Sequence, residues 1–133
     1  MGKGSNDSHI VIKDGELSMK IATFIEEYDL HDSLLESISI NGEKLVLDID
    51  LCNWRQKNYS PEEDEMKVIK VTFENVQSYH LDSTNDTVDS DSILEINCTD
   101  VDSSSTSKDI KIVFEGEGDI KIMTFRSDNV TVE

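Results

Sequence analysis

An imidazole, a carboxylate and a hydroxyl stand in a row in Leu30-His31-Asp32-Ser33-Leu34. These are the three groups of a nucleophilic triad, in which the acid holds one imidazole nitrogen and the hydroxyl meets the other. Consecutive residues of an extended segment point to opposite faces in turn, so this set cannot converge on one reacting atom. Two readings follow. His31 and Asp32 bond backbone groups at the turn that leaves a helix, or they offer a polar edge to a partner. A hydrolytic or metal-dependent centre built on His31 and Asp32 would need a third group from elsewhere, and His9 and His80 lie far from His31 in sequence.

Trp54 stands beside Arg55, Lys57 and Tyr59. Aromatic and basic residues together in a loop have the composition of an interface anchor, with Trp54 and Tyr59 as the anchoring side chains. Trp54 folded over the edge of the core is the alternative. Asp82, Asp86, Asp89 and Asp91 suggest calcium. The helix–loop–helix calcium pattern needs Gly at its sixth position and Glu at its twelfth, and counting from Asp82 these are Thr87 and Ile93, so a solvated loop is expected. Cys52 and Cys98 have no CxxC partner and no His at ligand spacing. They read as reduced thiols of a cytoplasmic protein, with an interstrand disulfide as the alternative. No glycine loop for phosphate is present. The expectation is no catalytic residue, no cofactor and no metal.

Charge narrows the partner. Twelve basic residues against twenty-nine acidic ones give −17 over 133 residues. Nucleic-acid backbones and anionic membrane surfaces both select clustered Lys and Arg, so neither is an expected partner. A basic protein is, because an acidic surface speeds encounter with one. No apolar run reaches the length of about eighteen residues that a membrane helix needs. The polar start Met-Gly-Lys-Gly-Ser-Asn-Asp-Ser has no apolar h-region of a secretory signal. Residues 1–18 read as an appended leader or an extended arm, with Met19 as an alternative start.

The elements that must position these groups are legible from periodicity. Residues 9–13 suggest a short strand. Ile21, Phe24, Ile25 and Tyr28 fall at helical spacing, which predicts a helix near 19–28 capped by Ser18. Leu34, Ile38 and Ile40, then Leu45, Leu47, Ile49 and Leu51, alternate with polar residues around Asn41-Gly42, the dipeptide of a two-residue hairpin. Residues 53–65 are a polar loop. Ile69, Val71 and Phe73 share one face of a strand over 66–76, and 77–92 read as loop. Leu94, Ile96 and Cys98 predict another strand, with Cys98 buried among them, whereas Cys52 sits opposite Leu51 and should be the faster thiol. Ile110, Ile112 and Phe114 lead through Gly116-Glu117-Gly118 into a return strand begun by Ile120 and Ile122. Val130 and Val132 suggest a last edge strand.

Residues 24–51 resemble a group of small bacterial domains. These share a short helix ending in Tyr or Phe, here Tyr28, then Leu-His-Asp-Ser, here residues 30–33, then two alternating strands, here 34–40 and 45–51. Val71-Thr72-Phe73-Glu74-Asn75-Val76 fits the same pattern, while 53–65 and 77–92 lie outside it. Some members resemble immunity proteins of toxin systems, small acidic cytosolic proteins that block a toxin by binding it. The resemblance implies no catalytic residue.

The expected fold is a single α+β domain over 1–133. One N-terminal helix packs on a mainly antiparallel sheet, or a two-layer sandwich, of about six or seven strands. The leading functional expectation is a non-enzymatic acidic binding protein of the immunity type, acting on a basic toxin. His31, Asp32, Trp54 and Tyr59 are its candidate contacts. A hydrolytic or metal-dependent enzyme using His31 and Asp32, or a scaffolding domain, are the alternatives.

Overall fold

Backbone groups in alternating sequences find their partners in neighbouring strands. A computed structural model, which describes residues 10–13, 16–82, 88, 90–102 and 106–133, answers that alternation with one ten-stranded sheet. In chain order the elements are β1 (Ile10–Lys13), β2 (Glu16–Met19), α1 (Ile21–Glu27), β3 (Leu34–Asn41) and β4 (Lys44–Cys52), then a 3-10 turn (Asn53–Arg55). β5 (Met66–Glu74), β6 (Gln77–Asp82), β7 (Asp91–Asp100), β8 (Lys108–Gly116), β9 (Asp119–Ser127) and β10 (Asn129–Val132) follow. All pairings are antiparallel, in the order β1-β2-β10-β5-β4-β3-β7-β8-β9-β6.

Two strands bend and close the sheet on itself. Only Asp128 separates β9 from β10, and only Asn75 and Val76 separate β5 from β6. The bent strand β9–β10 pairs with β5–β6 along one edge and with β8 along the other. From β8 the ladder runs through β7, β3 and β4 back to β5, which makes a barrel. Its interior holds Leu45, Leu47, Ile49, Val71, Phe73, Ile110, Ile112, Phe114, Met123 and Phe125, all buried. Phe73 and Phe125 meet edge to face with centroids 4.8 Å apart. Each such side chain contributes about 1.5–3 kcal/mol relative to exposure.

This architecture corrects the expected α+β layering with six or seven strands. The helix has seven residues and is too short to form a layer. It covers one mouth of the barrel instead, burying Ile21, Thr23 and Phe24 and setting Phe24 edge to face on Phe73 at 6.0 Å. Ser18 does not cap it. Residues 16–19 are strand, Lys20 holds the N-cap position, and the Ser18 hydroxyl accepts a bond from Asn129 Nδ2 at 3.0 Å. Residues 77–82, expected as loop, form β6, because pairing with β9 supplies backbone partners whatever the side chains are. β10 lies inside the sheet between β2 and β5 and is not an edge. No helix among the described residues is long and apolar enough to cross a membrane.

Turns and bulges set which side chains face inward. The first hairpin closes on Gly42-Glu43, one residue later than expected, since Asn41 pairs with Lys44. Gly42 has φ 66, and its neighbours stay on the ordinary side. A bulge between Leu35 and Ser37 puts Leu35, not Leu34, into the core, and leaves Ile40 half exposed. A second bulge, between Ile93 and Glu95, puts Ile93 inward in place of Leu94. The last hairpin turns on Glu117-Gly118, both with positive φ, so Gly116 pairs with Asp119 and Phe114 with Lys121. That register inverts the expected face of β9: Ile120 points out, while Lys121, Met123 and Phe125 point in.

Lys121 is therefore buried, and it meets Asp91. Nζ lies 2.7 Å from Asp91 Oδ2, with the side chains 1% and 3% exposed. Asp91 also pairs with Leu35, at the narrow joint where β3 meets β7 through Leu34–Ser92 and Leu35–Asp91 alone. Gly116 leaves the carboxylate its room: a Cβ there would come within 2.0 Å of Asp91 Oδ1.

The thiols reverse the expected order. Both are free, but Cys52 is 3% exposed and Cys98 is half-buried. Cys52 ends β4, where the chain turns back over it. Its N–H donates to Ser33 Oγ at 2.8 Å and its carbonyl accepts from Gln56 Nε2 at 2.9 Å. Burial raises both thiol pKa values above the ordinary range.

Candidate functional site

The segment after α1 is a turn, and its own sequence makes it one. Asp29 Oδ1 accepts the His31 N–H at 3.1 Å, a local bond that Asp forms readily. The Ser33 N–H donates to the Leu30 carbonyl at 2.9 Å, and Asp32 sits at φ 70, a region an Asp tolerates. Two further bonds dock the turn on β7. The Asp32 N–H donates to the Ile93 carbonyl at 2.9 Å, and the Ile93 N–H to the Ser33 carbonyl at 2.8 Å.

The turn sorts the three triad-like groups. His31 Nδ1 and Asp32 Oδ2 come within 3.3 Å, and both side chains are about half exposed. Consecutive residues meet here because the chain is turned rather than extended. Ser33 goes the other way: it is 0% exposed, and its hydroxyl accepts the Cys52 amide. The hydroxyl is thus a structural acceptor and not a nucleophile for His31.

The polar loop supplies the second part. The N–H groups of Asn53 and Trp54 both donate to the Glu65 carbonyl, at 2.8 and 3.3 Å, which closes the loop at its base. Gln56 clamps it to the first turn. Its Nε2 donates to the Asp29 carbonyl at 2.7 Å, and its Oε1 accepts the Asp29 N–H at 3.0 Å. Arg55 Nε then reaches Asp29 Oδ2 at 3.3 Å and Nη1 reaches Asp32 Oδ2 at 3.5 Å, with the guanidinium 5.5 Å from the centre of the Trp54 ring. Trp54 itself is 49% exposed.

The structure thus joins His31, Asp32 and Trp54 in one strip, linked through Arg55 and Asp29. Tyr59 keeps its bonds within its own loop: its hydroxyl donates to the Glu63 carbonyl at 3.3 Å and its N–H to the Gln56 carbonyl at 3.2 Å. Asp29 and Gln56 were not anticipated. Asp29 had a signal, an Asp two residues before His31, whereas the long-range bonds of Gln56 leave no mark in sequence.

Two clefts flank this strip. One, of about 310 Å³, runs between α1 and β7 and takes in Tyr28, Leu30, His31, Leu94 and Ile96. The other, of about 370 Å³, lies over Met19, Leu51, Ile69 and Val132. Glu27, Tyr28 and Lys57 line both, with Lys57 Nζ 3.7 Å from Glu27 Oε2. The Tyr28 pKa is raised by burial first and by the Glu27 carboxylate second.

No group of three or more His, Cys, Asp or Glu side chains among the described residues could hold a metal ion. Of the acids that suggested calcium, Asp82 is exposed at the end of β6 and Asp91 is neutralised by Lys121. Asp86 and Asp89 lie outside the described residues. No protein-family model matches the chain, nor does any curated protein or solved structure.

Proposed function

We propose that the chain is a non-enzymatic acidic binding protein of the immunity type, which engages a basic protein through the strip of Asp29, His31, Asp32, Arg55 and Trp54. One observation carries this reading. Trp54 is half exposed on an anchored loop, with Arg55 held against its ring by two carboxylates. A large rigid aromatic side chain already posed in this way loses little freedom on binding, which is what interface anchors require. The net charge of −17 supplies steering toward a basic partner.

The test is capture from native cells at low and high salt, with wild type and Trp54→Ala side by side. A basic protein retained at low salt, and weakened by Trp54→Ala without a change in melting temperature, is the expected result. Loss of stability with undiminished capture would return Trp54 to a covering role.

The His31–Asp32 contact favours a second reading, because a carboxylate on Nδ1 is how a general base is oriented. A hydrolytic or metal-dependent centre of that kind would still have to draw its nucleophile from outside the turn, since Ser33 is engaged by Cys52. Turnover of a substrate that His31→Ala abolishes would replace the binding reading with this one.

A further inference from the structure

The cleft between α1 and β7 has an apolar floor and a mainly acidic rim. Tyr28, Leu30, Leu94 and Ile96 supply the floor. Glu26, Glu27, Asp29 and Glu95 stand around it, against the single charge of Lys57. Two of the four acids are already matched, Glu27 by Lys57 and Asp29 by Arg55. Glu26 and Glu95 have no cation within ion-pair range among the described residues. Asp29 and His31 belong both to this cleft and to the strip that carries Trp54.

We propose that this cleft receives an arginine side chain of the basic partner, a reading that rests on the binding function above. Its aliphatic stem would lie on Leu30, Leu94 and Ile96. Its guanidinium would reach the Tyr28 ring and the carboxylates of Glu26 and Glu95. The chemistry selects arginine over lysine. A planar guanidinium stacks on an aromatic face and forks onto a carboxylate, and it is more weakly hydrated than an ammonium, so it enters a part-apolar cleft at smaller desolvation cost. The volume of about 310 Å³ suits one long side chain and not a folded segment. Continuity with the Trp54 strip makes the source a residue of the docked protein rather than a free small cation.

The test needs no partner. Acetyl-Gly-Arg-Gly-amide is titrated into the wild-type protein and followed by amide NMR, with the citrulline peptide as the uncharged isostere and the lysine peptide as the ammonium control. The expected result is a saturating set of shifts at residues 25–31, 57 and 94–96 with the arginine peptide, weaker with lysine and absent with citrulline. Leu94→Arg, which would place a guanidinium in the cleft from within, should weaken the peptide severalfold, whereas Val68→Ala, at an exposed position of β5 away from the cleft, should leave it unchanged. Shifts scattered over the acidic surface, equal shifts with citrulline, or no effect of Leu94→Arg in a folded variant would each overturn the proposal. If peptide binding fails while a basic protein is still captured through Trp54, the cleft assignment falls and the binding function stands. If the peptide binds as expected and no partner is captured, the cleft stands without the function.

Discussion

Replacing Lys121 by Met removes the cation that faces Asp91 inside the barrel. The two groups are 2.7 Å apart and 1% and 3% exposed, so water cannot take over the role of the ammonium. Met keeps the length of the lysine stem, and packing against Phe114 survives, although the ammonium 5.9 Å from that ring is lost. What remains is a buried carboxylate deprived of its lysine, and breaking a buried ion pair in this way destabilises by about 3–5 kcal/mol. A domain of this kind has roughly 5–15 kcal/mol in total, so the change removes a large share of its stability. The effect falls on a weak joint, because Asp91 is one of the two β7 residues that pair with β3. Urea unfolding followed by Trp54 fluorescence and by circular dichroism measures it. The double change Lys121→Met with Asp91→Leu should recover most of the loss, since an apolar pair of similar volume often matches a buried ion pair. A single-variant loss below about 1 kcal/mol, or a double variant no better than the sum of its singles, would show that the pair is not what holds this joint.

Other consequences follow from the same geometry. Gly116→Ala should destabilise by about 1–3 kcal/mol, because its Cβ meets an Asp91 carboxylate pinned by Lys121, and urea midpoints should show that loss largely cancelled in an Asp91→Ala background. Gly42→Val should cost about 1 kcal/mol or more through φ 66 alone, since nothing stands near its side-chain position, and thermal melting with Gly42→Asn as the milder control checks it. In the folded protein a thiol reagent should modify Cys98 before Cys52, as peptide mapping of partly labelled protein would show. Burial raises both thiol pKa values, so the unfolded chain releases these protons first. Labelling should therefore accelerate, and stability fall, as pH rises from the ordinary thiol range toward the raised folded values.

Where a strand runs straight between well-marked turns, its inward face could be read from the sequence: Leu45, Leu47, Ile49 and Leu51, or Ile69, Val71 and Phe73. Where one residue shifts the register, the reading inverted. The bulges at Leu35/Ser37 and Ile93/Glu95 exchange the faces of β3 and β7 partway along, and no composition signal marks either. In β9 the apolar residues Ile120 and Ile122 suggested the core face. The two-residue turn Glu117-Gly118 fixed the opposite one and carried a lysine inside. The unexpected strand β6 arises at a bend rather than at a loop, and a polar stretch such as 77–82 looks like a loop until its partner is known. Cys52 was misplaced for a related reason. Its face was read correctly as the one opposite Leu51, but the returning loop buries that face at the end of the strand.

The candidate site was legible in its parts and not in its assembly. His31, Asp32 and Trp54 stood out by residue type. Gln56 and Arg55 unite them, by bonds to Asp29 across a separation of 27 and 26 residues. Those bonds exist because the turn of 29–33 docks on β7 just before the bulge, while the 3-10 turn continues from the end of β4. The barrel brings these two strand ends together through β3, which pairs with both. The strip is therefore held by backbone and amide bonds, while its exposed ion pairs each contribute about 0–1 kcal/mol. Arg55 has its weight in pose rather than in stability: it fixes Trp54 and pairs with Asp29 and Asp32, while Glu26 and Glu95 beside the anchor have no cation within ion-pair range among the described residues. Arg55→Ala should scarcely change the melting temperature. It should weaken partner capture through a freer Trp54, even though it makes the surface more acidic. If attraction of charge alone governed binding, the same substitution would strengthen capture, and that outcome would remove the anchor from the reading.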